Sequence, residues 1–141
     1  MSYQPKVYRR QGGNQLIVDQ ANGGRLTARM GLTTLATVGN ETYTAAQIAG
    51  GVIARDPAGG ARTDTTDTAA ALISGLDLET DGDTHVCYLI NTADAAEAIT
   101  LAGGDSVTIA NVAQTLAQNE SALLLFRRTS ATAVTLYILG A

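Results

Sequence analysis

The chain has 141 residues, 13 acids against 9 Lys and Arg for a net charge of −4, and one cysteine, Cys87. This is the length of one domain with at most an added arm, and it excludes an intrachain disulfide and a cysteine-clustered zinc centre. No apolar run reaches the length of a membrane span or of a signal-peptide core, so a soluble protein that is not exported is expected.

Aromatics are 4 % of the chain and Trp is absent, whereas Ala (24), Thr (19) and Gly (15) are abundant. Thr with Val and Ile favours strands and Gly favours tight turns, so the core must be built from small side chains. The charge is segregated. Residues 1–30 carry Lys6, Arg9, Arg10, Arg25 and Arg29 against Asp19, whereas residues 64–120 carry ten acids and no Lys or Arg. Such a split marks an interaction arm or complementary packing between copies, with plain solubility as the alternative.

In chain order, residues 1–11 lack the apolar periodicity of a packed element and read as an extended N-terminal arm, with Tyr3, Val7 and Tyr8 available to pin it. Residues 12–141 read as a single domain. Leu16-Ile17-Val18 and Leu26-Thr27-Ala28 form an expected hairpin turning at Ala21-Asn22-Gly23. Thr33 to Val38 is a strand candidate. Thr44 to Ile48 is a helical turn, with Thr44 and Gln47 spaced as a capping box and Gly50 as its end.

Residues 51–76 join the two unlike halves. Val52 to Ala54 is a short strand that Pro57 must stop, because proline has no N–H to give a ladder. Ala58 to Ala61 is loop. Thr66 is the expected N-cap of a helix over 66–76, Asp67 sits in its first turn, and Ala69, Leu72, Ile73 and Leu76 make one apolar stripe before Gly75 marks the end.

Beyond it, Thr84 to Ile90 has apolar groups on both faces, as an interior strand does. Ile99–Leu101 and Val107–Ile109 read as a hairpin around Gly103-Gly104, and Val112 to Leu116 as a further strand. Ala122 to Phe126 is continuously apolar, hence buried on both sides, and ends at Arg127-Arg128; after a turn at Thr129-Ser130-Ala131, Val134, Leu136 and Ile138 form the last strand. Short strands at this spacing predict a sandwich or barrel.

Candidate chemistry is sparse. Asp77 to Asp83 starts like a calcium loop, with oxygen groups at alternate positions and Gly82 sixth, but position twelve is Tyr88 instead of a bidentate Glu, so a solvated acidic turn is favoured. His85 and Cys87 share one face of a strand, but no third residue orients them as base and nucleophile, and core filling is the plainer reading. Asp56, Asp64 and Asp67 are accounted for by a turn or a cap. Gly59-Gly60 is followed by no Lys-Ser/Thr and is not a phosphate loop. A basic arm on an acidic body without a reading scaffold argues against nucleic acid. No catalytic, cofactor-binding or metal-ligating residue is therefore assigned.

The segments VIARDPAGGARTDTTDTAAALISGL, YLINTADAAEAITLAGGDSVTIA and ALLLFRRTSATAVTLYIL, together covering roughly residues 50–139, resemble a module of tailed-bacteriophage head proteins, and VYRRQGGNQLIV resembles the start of phage decoration and head-fibre proteins. Asp67 departs from the proline expected there. The resemblance implies an all-β, jelly-roll-like β-sandwich with one short capping helix, and a non-enzymatic capsid cement or decoration protein. Such a protein would clamp the major capsid protein on the outside of the head after synthesis in the host cytoplasm. A head-fibre or receptor-binding module is the alternative. A homo-oligomer is expected, dimer ahead of trimer, with no nucleic acid and no membrane as partner. Attachment is assigned to Tyr3, Lys6, Val7, Tyr8, Arg9 and Arg10 of the arm.

Overall fold

The computed structural model describes residues 7–9, 16–18, 29–111 and 114–140. Its elements are β1 (Val7–Arg9), β2 (Leu16–Val18), β3 (Gly31–Leu35), β4 (Thr42–Tyr43), α1 (Ala45–Gly50), β5 (Gly51–Arg55), β6 (Arg62–Thr66), α2 (Ala69–Gly75), β7 (Thr84–Asn91), β8 (Ile99–Ala102), β9 (Val107–Ile109), β10 (Thr115–Leu116), β11 (Ser121–Ser130) and β12 (Ala133–Leu139).

Both helices follow one local plan. Thr44 caps α1 by accepting from the Gln47 amide while the Gln47 side chain accepts from the Thr44 N–H, the expected capping box. Thr68, and not Thr66, caps α2 by accepting from the Ala71 amide. Thr66 instead closes β6, and Asp67 lies before the cap. One Asp67 carboxylate oxygen accepts from the Thr68 amide and the other from the Ala45 amide, so the acid ahead of α2 also satisfies an orphan donor at the start of α1. Thr44-Ala45 and Thr68-Ala69 thus open two similar turns, each burying its first Ala and then Ile48 or Leu72. Gly51 ends α1 in a left-handed conformation at φ 100. The helices meet at Gly75, where an added Cβ would lie 2.7 Å from that of Ala45.

The strands form a six-stranded sheet in the order β3-β5-β7-β11-β12-β9, a four-stranded sheet in the order β10-β8-β6-β4, and the pair β1-β2. From β3 to β10 the chain alternates between the two larger sheets. In one, β3, β5 and β7 are parallel neighbours; in the other, β4, β6 and β8 are. Parallel neighbours cannot be joined by a tight turn, and β4-α1 and β6-α2 serve as the crossovers. Antiparallel pairing enters the large sheet where β7 meets β11 and β11 meets β12, and the small one where β8 meets β10. The core lies between the sheets: Ile53, Leu89, Leu124, Phe126 and Leu136 from the large one meet Ile48 and Leu72 of the helices and Tyr43, Ile99, Leu101 and Leu116 of the small one, all essentially inaccessible.

This mixed α/β fold corrects the expected all-β jelly-roll sandwich, which is antiparallel throughout and has no crossover helices. The hairpin expected at Gly103-Gly104 is corrected too: β8 belongs to the small sheet, and β9 runs parallel to β12 at the edge of the large one. The turn after β8 is pinned to the end of the neighbouring strand β6, the Gly104 amide donating to the Thr66 hydroxyl. In the expected arm, Val7–Arg9 is a strand paired with Leu16–Val18 in the register Val7↔Val18. The hairpin expected at residues 21–23 lies outside the described residues.

A fully buried ion pair ties the sheets together. Arg55 Nε on β5 donates to Asp64 Oδ2 on β6 at 2.9 Å, and the Tyr43 hydroxyl on β4 donates to the same oxygen at 2.6 Å. The Glu41 amide donates to Asp64 Oδ1, and three of the four remaining guanidinium N–H groups go to the carbonyls of Thr37, Gly39 and Asp56. Burial opposes the Arg55 charge, but the hydrogen bond and charge of Asp64 outweigh it and Arg55 is held above its ordinary pKa. Burial and the bond to Asp64 raise Tyr43 as well, so its hydroxyl stays a donor.

Candidate functional site

The outer face of the six-stranded sheet is the feature that packing among the described residues leaves unexplained. Side chains alternate across a strand, so the inward set fixes the outward set. On β7, Cys87 and Leu89 point to the core while Thr84, Val86, Tyr88 and Ile90 face out. On β11 the inward residues are Ala122, Leu124 and Phe126, leaving Ser121, Leu123, Leu125 and Arg127 outside. The stretch expected to be buried on both sides is therefore buried on one.

The strand registers align these residues in four rows. The longest crosses five strands as Leu32, Val52, Tyr88, Leu123 and Leu139. To one side lie Val86, Leu125 and Tyr137, and beyond them an end row of Thr84, Arg127, Thr135 and Thr108. To the other side lie Thr34, Ala54, Ile90 and Ser121. Arg127 carries the one formal charge in the four rows, and it stands at the margin. Leu32 is 66 % exposed, Leu139 49 % and Tyr88 43 %. With strands about 4.8 Å apart and about 3.3 Å per residue, the face is on the order of 500 Å² in projection, about 300 Å² of it at the ten apolar positions, and its accessible area is larger. Contiguous apolar patches beyond a few hundred Å² mark interaction sites.

His85, Cys87 and the acidic turn, which the sequence singled out for chemistry, are engaged within the fold. His85 Nε2 lies 3.2 Å from the Ile48 carbonyl, and Cys87 is buried among apolar neighbours, its thiol pushed up to about 12 by burial. In the acidic turn, Asp81 pairs with Arg128 at 3.0 Å and Asp83 accepts from the Thr80 amide, so these carboxylates organise the turn itself. Of the residues expected to attach the chain, Tyr3, Lys6 and Arg10 lie outside the described residues, and Val7, Tyr8 and Arg9 are β1. The sheet face was missed by the sequence reading. Its signal was present as Leu123, Leu125, Val86 and Tyr88, but an exposed apolar face and a second buried face read alike.

Comparison with protein-family models, curated proteins and solved structures finds no match. The likeness to phage head proteins is thus without support from any relative, and the jelly roll on which the capsid cement and head-fibre readings leaned is not the fold. Both readings are withdrawn. Among the described residues no helix is long and apolar enough to cross a membrane.

Proposed function

We propose that this chain is a non-catalytic association module whose working surface is the outer face of the six-stranded sheet, and that the occupant of that face is a second copy of the chain. The observation that carries the reading is the row Leu32–Val52–Tyr88–Leu123–Leu139, set in a face whose single charge, Arg127, is marginal. A charge at the rim stays hydrated, whereas one at the centre would have to be desolvated. The projected area, on the order of 500 Å², corresponds to an accessible face near the roughly 800 Å² that one partner contributes to an ordinary dimer. A broad sheet face is matched best by another sheet face, since two sheets pack at about 10 Å with interdigitating side chains. A two-fold axis near Tyr88 would lay the row against itself. The basic segment before residue 30 gains nothing electrostatically by covering a face whose one charge is also positive.

The test is sedimentation velocity on the full chain and on Leu32→Glu and Tyr88→Glu, two substitutions at exposed positions that leave the core untouched. A wild-type dimer and monomeric variants of unchanged circular dichroism are expected. A wild-type monomer at high micromolar concentration, or variants that dimerise normally, would overturn the reading.

A further inference from the structure

A second, independent feature lies at one end of the large sheet. Because β5 and β7 are parallel neighbours in the register Arg55↔Asn91, the loops that follow them leave the sheet side by side. The Thr92 amide donates to the Arg55 carbonyl at 2.8 Å, and the Arg62 amide to the Ala98 carbonyl at 2.9 Å. Asn91, itself buried, holds the second loop from within, its side-chain amide donating to the Glu97 and Leu116 carbonyls while its oxygen accepts from the Ala93 amide. This arrangement brings together Asp56, Asp94 and Glu97, one carboxylate oxygen of each lying within 4.8 Å of the other two.

Glu97 decides what the cluster is for. The residue is 8 % exposed; Oε1 accepts from the Gly59 amide at 2.7 Å, whereas Oε2 is buried with no hydrogen-bond partner. The same chain treats Asp64 differently, giving that buried carboxylate an arginine, a hydroxyl and an amide. Among the described residues the ion pairs are Arg55–Asp64 and Arg128–Asp81, so the cluster has no cation within 4 Å. Arg62, on the neighbouring strand, directs Nε and a terminal nitrogen to the Pro57 and Ala58 carbonyls instead. A buried carboxylate oxygen left unpaired beside two further carboxylates is costly, and a cation between them removes both the desolvation and the repulsion.

We infer that Asp56, Asp94 and Glu97 form a calcium site joining the two loops. The donors are carboxylate oxygens only, which selects hard cations over zinc or copper. Ca²⁺ accepts irregular sets of six to eight oxygens at about 2.3–2.6 Å, whereas Mg²⁺ demands a near-ideal octahedron at about 2.0–2.1 Å. Three carboxylates of unequal burial suit the larger ion, with water completing the shell on the side of exposed Asp94. Such a partly hydrated site belongs in the range of about 10⁻⁴–10⁻³ M.

Isothermal titration of the full chain with CaCl₂, paired with thermal unfolding in CaCl₂, MgCl₂ and EDTA, tests this. One saturable Ca²⁺ per chain is expected, with a melting temperature that rises with Ca²⁺ and much less with Mg²⁺. Asp94→Asn, at an exposed position, should weaken binding about tenfold, the loss of roughly 1.4 kcal/mol. Glu97→Gln keeps an acceptor for the Gly59 amide and removes the charge, so it should abolish binding yet melt at or above wild type in EDTA. No calcium-dependent heat or melting shift in the wild type would overturn the inference. So would an equal response to Mg²⁺, or binding that neither substitution alters.

Discussion

Replacing Arg55 by Met tests whether the buried ion pair holds the two sheets together. Met keeps a long unbranched stem in place of the fully buried arginine but removes its charge and its bonds to Asp64, Thr37, Gly39 and Asp56. Asp64 would retain only the Glu41 amide and the Tyr43 hydroxyl while remaining inaccessible. Breaking a buried pair from one side costs about 3–5 kcal/mol, a large part of the roughly 5–15 kcal/mol that a domain has in total. Asp64→Leu should cost a similar amount by stranding the guanidinium. The double variant buries no ion, so it should be milder than the sum of the two singles by about 1–3 kcal/mol. Urea unfolding followed by far-ultraviolet circular dichroism, with the denaturant slope checked for constancy, measures all three. A single variant losing less than about 1 kcal/mol, or strict additivity of the two, would refute the reasoning.

Stability should also fall in alkali. The Cys87 thiol is pushed up to about 12 from about 9, so its contribution is complete below pH 9 and is lost as the pH rises towards 12. At about 1.4 kcal/mol per pH unit the limit is about 4 kcal/mol, and Tyr43, shifted in the same direction, adds to the decline above its unfolded value. Urea midpoints from pH 8 to 11 should drop less steeply for Cys87→Ala than for wild type; parallel curves would exclude the thiol. At the glycines, a Cβ on Gly75 would crowd the Ala45 methyl, whereas one on Gly104 would fall on the backbone carbonyl oxygens of Thr66 and Asp67. Gly75→Ala should therefore cost about 1–3 kcal/mol and Gly104→Ala more, an order that thermal unfolding of the two variants checks.

Where a signal depends on neighbours in the chain, the sequence alone determined the outcome. The caps of the two helices are Gly51 and Leu76, one residue past the Gly50 and Gly75 read as their ends, but Thr44 with Gln47 caps α1, Pro57 lies just beyond β5, and Val134, Leu136 and Ile138 point inward from the last strand. Each rests on one residue's conformational limits or on a period of two, which operate before any tertiary contact exists. Even locally, competition misled the reading at α2: Thr66 and Thr68 are both competent caps, and Thr66 was claimed by β6 and the Gly104 amide.

Which strand pairs with which was decided only in three dimensions. Alternation within β5, β7 or β8 carries no mark of a parallel neighbour, so short apolar strands were read as an antiparallel sandwich. The crossovers that make the sheets parallel are helices of six and seven residues, too short to outweigh the strand signals around them. The sites share this origin. Leu32, Val52, Tyr88, Leu123 and Leu139 are scattered through the sequence and become one row only through register. Asp56, legible as a turn residue, meets Asp94 and Glu97 only because two parallel strands end together. Apolar side chains and carboxylates look the same in sequence whether their neighbours satisfy them or not. Tertiary structure alone shows that, among the described residues, the sheet face has no cover and one oxygen of Glu97 has no partner.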